Sequence, residues 1–229
     1  MRNSINMKPK TLDNRLSACA GFVRPGSPAA DIGTDHGQLP VWLVREGVVP
    51  HAIACDLREG PLSRARQAIA QAGLTGSIET RLSDGLAGIL PHEAGDIIMA
   101  GMGGELIISI ISAAAWLRHP RYRLILQPMT NDQNLRAFLC RQGFDILEER
   151  AAVAGKHAYT VMCCEYSGKT STPDELFLLC GRLLYDGSPE AMAYLQKKRQ
   201  RLLTKAKGLE RSGDIAQAEE CRRLAAGIS

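Results

Sequence analysis

The sequence predicts a doubly wound α/β sheet followed by a small helical appendage. Three observations carry this. Short, nearly continuous apolar runs recur between residues 29 and 127, as parallel strands covered on both faces require. Stretches of helical periodicity separate them, and strand, helix, strand, repeated, is the pattern of a parallel sheet wound on both sides. Beyond residue 167 only helical patterns remain.

The elements follow in chain order. Residues 11–24 read as an amphipathic helix with Leu12, Leu16, Cys19, Ala20 and Val23 near one face, broken by Pro25-Gly26-Ser27-Pro28. Strands are expected at 29–33, 51–55, 77–82, 96–100 and 123–127, with helices at 39–46, 61–73, 104–115 and 132–143. Residues 144–153 and 157–166 are strand-like runs joined by Ala154-Gly155-Lys156, the spacing of a hairpin, so one strand near the end should run antiparallel. The tail gives three helical stretches, at 174–186, 189–209 and 214–227. Leu195, Leu202 and Leu209 recur every seven residues, a short heptad pattern that suits a coiled-coil-like helix pair. The expected division is a main domain over 1–167 and a helical domain over 168–229.

A chain of 229 residues with 45% hydrophobic content can bury a sizeable core, which argues against wholesale disorder. A net charge of +4 permits a nucleic-acid partner without requiring one. The seven cysteines form no C-x-x-C pair and read as reduced core residues of a cytoplasmic protein. His and Cys lack ligand spacing, so no metal is expected. Residues 1–10 contain no apolar signal core, and no run reaches membrane-spanning length. A soluble monomer or weak dimer is expected.

In an open α/β sheet, ligands bind beyond the carboxyl ends of the strands. Five strand ends here carry polar or glycine-rich chemistry. The first is Asp31-Ile32-Gly33-Thr34-Asp35-His36-Gly37. Its glycines allow tight turns, but the G-x-G-x-x-G pattern of a dinucleotide loop is not met, and Asp35 would repel a pyrophosphate. A carboxylate is tolerable beside a cation, so the loop favours S-adenosylmethionine, a sulfonium without phosphate, over NAD. An ordinary β–α turn capped by Asp or Thr is the plainer alternative. Asp56, with Leu57 after it, ends the second strand, where an acid can accept hydrogen bonds from ribose hydroxyls. Ser83-Asp84-Gly85 ends the third and can meet an adenine amino group, or simply turn. Ala100-Gly101-Met102-Gly103 lets a planar group approach the backbone, and Gln127-Pro128 offers an amide that can bond a base.

These motifs, in this order, resemble the bacterial tRNA (adenine-22, N1)-methyltransferase family. The resemblance rests on LDNRL at 12–16, ADIGTDHGQLP at 30–40, EGPL at 59–62, SDGL at 83–86, IMAGMGGELI at 98–107, LILQP at 124–128 and GKHAYTV at 155–161. It covers residues 11–166; the tail agrees in helical character only. It implies a Rossmann-like class I methyltransferase sheet, S-adenosyl-L-methionine as cofactor and tRNA as substrate. Gln38 stands where the family often has Tyr, Asp56 where Glu is common, and Met129 where Asn follows Gln-Pro. On this basis Asp31, Gly33, Thr34, His36, Gly37, Asp56, Leu57, Ser83, Asp84, Gly85, Ala100, Gly101, Met102 and Gly103 are expected to hold the cofactor.

Asp35 is expected to be the catalytic carboxylate, because a methylated adenine ring is cationic and a nearby carboxylate stabilises that charge. Arg15, Gln127, Pro128, Lys197, Lys198, Arg199 and Arg201, with Lys205, are the expected tRNA contacts, though the tail run could equally be a solvated face. Two other readings stay open: a methyltransferase for another substrate, and a module of this fold that binds RNA or protein without turnover.

Overall fold

The computed structural model describes residues 11–228; the stretch read above for a signal segment lies outside them. Seven strands form one sheet in the order β3-β2-β1-β4-β5-β7-β6. Strands β1 (Ala29–Ile32), β2 (Ala52–Asp56), β3 (Ile78–Leu82), β4 (Asp96–Gly103) and β5 (Arg123–Thr130) run parallel. β6 (Phe144–Ala154) and β7 (His157–Tyr166) form the expected hairpin, and β7 is inserted antiparallel against β5. The order reverses between β1 and β4, so the loops after those strands open the crevice at the switch point.

Successive strand residues point to opposite faces, and the core splits accordingly. Ile97, Met99, Leu124, Leu126, Met162 and Cys164 face one layer, under α4 (Gly104–Ala113) and α5 (Asp132–Arg141). Ile98, Ile125, Val161 and Cys163 face the other, under α1 (Asn14–Ala20), α2 (Gln38–Arg45) and α3 (Glu59–Gln71). All seven cysteines are buried and unpaired.

Four elements differ from expectation. α1 is shorter than 11–24, because the Asp13 carboxylate caps it by accepting the Arg15 and Leu16 amides at 2.9 and 3.0 Å. β4 and β5 run three residues further than read, since a bulge lets Met102 pair with Pro128 and Gly103 with Thr130. The stretch 174–186 is an α-helix, α6 (Glu175–Cys180), followed by a 3-10 turn, Gly181–Tyr185. Gly181 has φ 61, and a Cβ there would overlap the buried Glu149 carboxylate.

α7 (Pro189–Arg211) and α8 (Ile215–Ala226) fold back on each other through a three-residue turn. Leu195 packs with Cys180, Leu183 and Tyr194, while Leu202 and Leu209 meet Ala206, Ala218 and Cys221. α7 also packs on the hairpin through Ala151 and Ala158.

A buried ionic cluster joins the tail to the sheet. Arg136 is fully buried on α5; its guanidinium meets Glu149 at 2.9 Å and donates to the Leu178 carbonyl (2.9 Å) and the Tyr194 hydroxyl (3.1 Å). Glu149 also accepts from Thr160 Oγ1 at 3.1 Å and the Arg182 amide at 2.5 Å. Lys198 donates to Asp132 at 2.7 Å, and the Tyr194 hydroxyl donates to the same carboxylate. Lys198 is therefore committed to this cluster and not to a phosphate, which corrects the expectation for that residue. No described helix is long and apolar enough to cross a membrane.

Candidate active site

The carboxyl ends of β1 to β4 enclose a cleft of about 680 Å³, with Arg15 and Leu16 of α1 at one side. Its shape comes from backbone that few residues adopt. Gly33 (φ 75), His36 (φ 62) and Gly37 (φ 63) put three left-handed residues in one five-residue loop. For His36 that conformation is uncommon and marks a loop whose shape is imposed by its surroundings. Gly101 (φ 80) lies on the cleft, and a Cβ there would meet no atom within 4 Å, so its bare backbone opens into free space.

Asp31 and Asp56 stand on the cleft floor and are buried. Asp56 Oδ1 accepts the Arg58 amide at 2.8 Å. Burial pushes the Asp31 carboxyl up to about 6, and the Asp56 charge adds to it. The Thr34 Oγ1 is itself buried and out of hydrogen-bonding geometry with any described group. A pair of buried acids beside an unsatisfied hydroxyl is chemistry waiting for a donor or a cation.

The sign of the Asp31 effect gives a prediction. Its folded value lies above the ordinary 3.8, so the native state holds the proton more tightly than the unfolded chain, and stability falls as pH rises from 3.8 to about 6. Asp31→Asn should therefore stabilise the ligand-free protein, with an advantage that grows by on the order of 2 kcal/mol between pH 4.5 and 7.5. Urea unfolding at the two pH values measures it, and a gap that shrinks as pH rises would contradict the assignment.

At the mouth, the Asp35 side chain is 73% exposed and sits 3.3 Å from His36 Nε2 and 3.6 Å from an Arg64 nitrogen. The apolar walls are Leu57 and Leu106, 63% and 52% exposed, with Ile110 behind them. Large apolar side chains left open around a polar floor are what a ligand of mixed character needs.

The structure brings Asp31, Gly33, Asp35, Asp56, Leu57, Ser83, Asp84, Gly85, Ala100, Gly101, Met102 and Arg15 to this cleft. Thr34, His36, Gly37 and Gly103 lie in the same loops but do not line it. Gly37 is needed for packing: a Cβ would come within 3.2 Å of Ala65 on α3. The Ser83 hydroxyl is spent inside its own loop, donating to the Gly85 carbonyl (3.0 Å) and accepting the Gly88 amide (2.9 Å).

Gln127 and Pro128 are buried behind the wall. Gln127 Oε1 accepts from the Gly101 amide (3.1 Å) and Arg15 (3.3 Å), and its Nε2 donates to the Pro128 carbonyl (3.0 Å). The expectation that it bonds a base is corrected, since its amide fixes the wall instead. Lys197 donates to the Lys156 carbonyl, while Arg199, Arg201 and Lys205 stay exposed on α7, away from the cleft. Asp13, Gln38, Arg58 and Arg64 also line the cleft, beyond the residues expected there. Arg64 lies on α3, and nothing local to Asp35 in the sequence signals it.

A methyltransferase-domain family model matches residues 12–162. A tRNA (adenine(22)-N(1))-methyltransferase from Bacillus subtilis (strain 168) is 32% identical over 178 residues, spanning 78% of this chain and 75% of that protein. The chain belongs to the tRNA (adenine(22)-N(1))-methyltransferase family.

Solved members share the whole architecture, tail included. The crystal structure of the B. subtilis m1A22 tRNA methyltransferase has a TM-score of 0.83 at 25% identity, over 95% of this chain and 98% of that one. A Streptococcus pneumoniae protein described as a tRNA (m1A22) methyltransferase, in complex with S-adenosyl-L-methionine, has a TM-score of 0.80 at 29% identity, over 93% of this chain and 100% of that one. In this methyltransferase family member the strand-end cleft is thus part of a fold shared over nearly the full chain, which makes it the candidate active site.

Proposed function

We propose that this protein transfers the methyl group of S-adenosyl-L-methionine to N1 of adenine 22 in tRNA, in the cytoplasm, as a monomer or weak dimer. The observation that carries the reading is the cleft itself: two buried acids on its floor, bare glycine backbone in its wall and a carboxylate at its mouth. The residues fit the cofactor. Asp31, which pairs with no described cation, suits its ammonium group; Asp56 suits ribose hydroxyls; Leu57 and Ile110 suit the faces of adenine, with Asp84 at its amino edge. Gly101 lets a ligand lie against backbone, while at Gly33 the missing Cβ makes room for the Met102 side chain. The chemistry the bound cofactor supplies is a methyl group activated by a sulfonium.

The protein's part is placement and electrostatics. Adenine N1 carries a lone pair at neutral pH, so no base is needed to free it. Asp35 faces the mouth, where it stabilises positive charge developing on the ring and is placed to accept a proton from N6. Arg64 and His36 hold that carboxylate from either side. N1 lies on the Watson–Crick edge, so the target base enters unpaired. In this reading residues 1–167 form the catalytic domain and 168–229 a tRNA-facing one. Arg199, Arg201 and Lys205, exposed on α7, meet phosphates there, and Arg15 stands at the cleft rim. The seven reduced, buried cysteines suit the cytoplasm.

Product analysis tests the proposal. Incubated with S-adenosyl-L-methionine and unmodified bacterial tRNA, the protein should yield N1-methyladenosine at one position, identified by nucleoside mass spectrometry and mapped by primer-extension arrest. Cofactor binding without any methylated nucleoside would refute it in favour of a binding module.

A further inference from the structure

The tip of the β6–β7 hairpin carries an aromatic and cationic cluster beside the cleft that the proposed chemistry leaves unused. His157 and Tyr159 are two residues apart on β7 and so project from the same face. Their ring centroids are 6.0 Å apart with planes tilted by 33°. The Arg15 guanidinium lies 5.7 Å from the Tyr159 ring centroid, within cation–π range. Arg15 is also a cleft residue, so the three side chains run outward from the cleft rim to the hairpin tip as one row. His157 and the neighbouring Lys156 are exposed, and Tyr159 is half-buried.

The row is held in place from three sides. Arg15 is fixed by Asp13 at 2.9 Å and by Gln127 at 3.3 Å. Asn14 on α1 donates to the Val153 carbonyl at 2.8 Å, tying one arm of the hairpin tip. Lys197 on α7 donates to the Lys156 carbonyl and ties the turn. A hairpin tip braced by two helices costs little further ordering when a ligand lands on it. Burial gives no reason for these rings to be here: the tip is at the surface, and neither residue belongs to the buried core.

We propose that Arg15, Tyr159 and His157 form a stacking platform for an unpaired nucleotide next to the target adenine. This rests on the reading of the cleft as the site of tRNA methylation. Single-stranded RNA is gripped by stacking bases on aromatic rings and guanidinium planes, with cations for the phosphates. The row supplies two rings, one guanidinium and the Lys156 ammonium at the rim where an RNA strand leaves the cleft. Keeping the adjacent nucleotide out of the helical stack also keeps the target base from re-pairing.

The test uses His157→Ala, Tyr159→Ala and the double variant, with Tyr159→Phe as the ring-preserving control. Two readouts are taken: the KM for tRNA, and the fluorescence of 2-aminopurine placed next to the target adenine. The double variant should raise the KM for tRNA about 10-fold, within the effect of losing one or two stacking contacts. Its affinity for S-adenosyl-L-methionine should stay at the wild-type value, and the 2-aminopurine quench seen with wild type should disappear. Tyr159→Phe should restore both KM and quench. If wild type forms N1-methyladenosine while the alanine variants keep KM and quench, the platform is refuted and the proposed function stands. If wild type forms none, the proposed function fails, and the platform with it.

Discussion

Asp35→Ala is expected to lower kcat for tRNA methylation by about 10²- to 10³-fold, the range for removing one well-placed electrostatic group from a reacting centre. Affinity for S-adenosyl-L-methionine should change little, because Asp31 and Asp56 on the cleft floor, not Asp35 at its mouth, face the cofactor in the proposed arrangement. The side chain is 73% exposed, so its removal should leave folding intact. That separates it from the floor acids, whose replacement alters both binding and stability.

Asp35→Asn refines the argument. The amide keeps the size and one acceptor oxygen but loses the charge, so an electrostatic role predicts a loss close to that of alanine. Arg64→Ala should cost less, about 10-fold, since Arg64 lies 3.6 Å from the Asp35 carboxylate and supports it. Single-turnover rates with saturating cofactor measure all three. A wild-type rate in Asp35→Asn would remove the carboxylate from the mechanism.

The parts of this site that the sequence reveals are the parts encoded locally. A strand end followed by glycine and an acid carries its signal within a few residues, which is why the sequence alone puts Asp31, Asp35, Asp56, Asp84 and Gly101 on one edge. The continuous apolar runs of β4 and β5 likewise announce strands buried on both faces, with Ile97, Met99, Leu124 and Leu126 on one side and Ile98 and Ile125 on the other. What escaped was non-local. Arg64 reaches Asp35 from α3, beyond α2 and β2 in the chain, and no periodicity reports that approach. Gln127 looked free to read a base because its partners, the Gly101 amide and Arg15, come from remote segments. The break after Cys180 was hidden for the same reason: a buried carboxylate from β6 overrides the local helical pattern at Gly181.

The largest stability effect is expected at Arg136, which the helical pattern of 132–143 does not distinguish from its neighbours. Burial opposes its charge, yet Glu149, Tyr194 and Asp132 outweigh that and hold its proton more firmly than usual. Arg136→Ala strands the fully buried Glu149 side chain with only the Thr160 hydroxyl and the Arg182 amide, and should cost about 3–5 kcal/mol. It should also loosen the docking of α6 and α7, since the same guanidinium holds the Leu178 and Leu179 carbonyls and the Tyr194 hydroxyl. Removing both charges is a different matter. Arg136→Met with Glu149→Leu leaves no buried charge unpaired and should recover most of the loss, as apolar replacements of buried pairs often do.

The cluster also has a pH signature with a definite sign. Arg136 and Lys198 overcome the burial of Asp132 and keep its carboxyl below the ordinary 3.8, so its contribution is complete above that value and is lost as pH falls through the lower folded one. Lys198→Met removes one of the two cations and should weaken the protein at neutral pH while narrowing its acid sensitivity. Urea unfolding at pH 7 and pH 4, with far-UV circular dichroism following the helices, resolves these effects. A loss under 1 kcal/mol in Arg136→Ala would mean that water reaches Glu149 and that the tail is held by its apolar contacts alone.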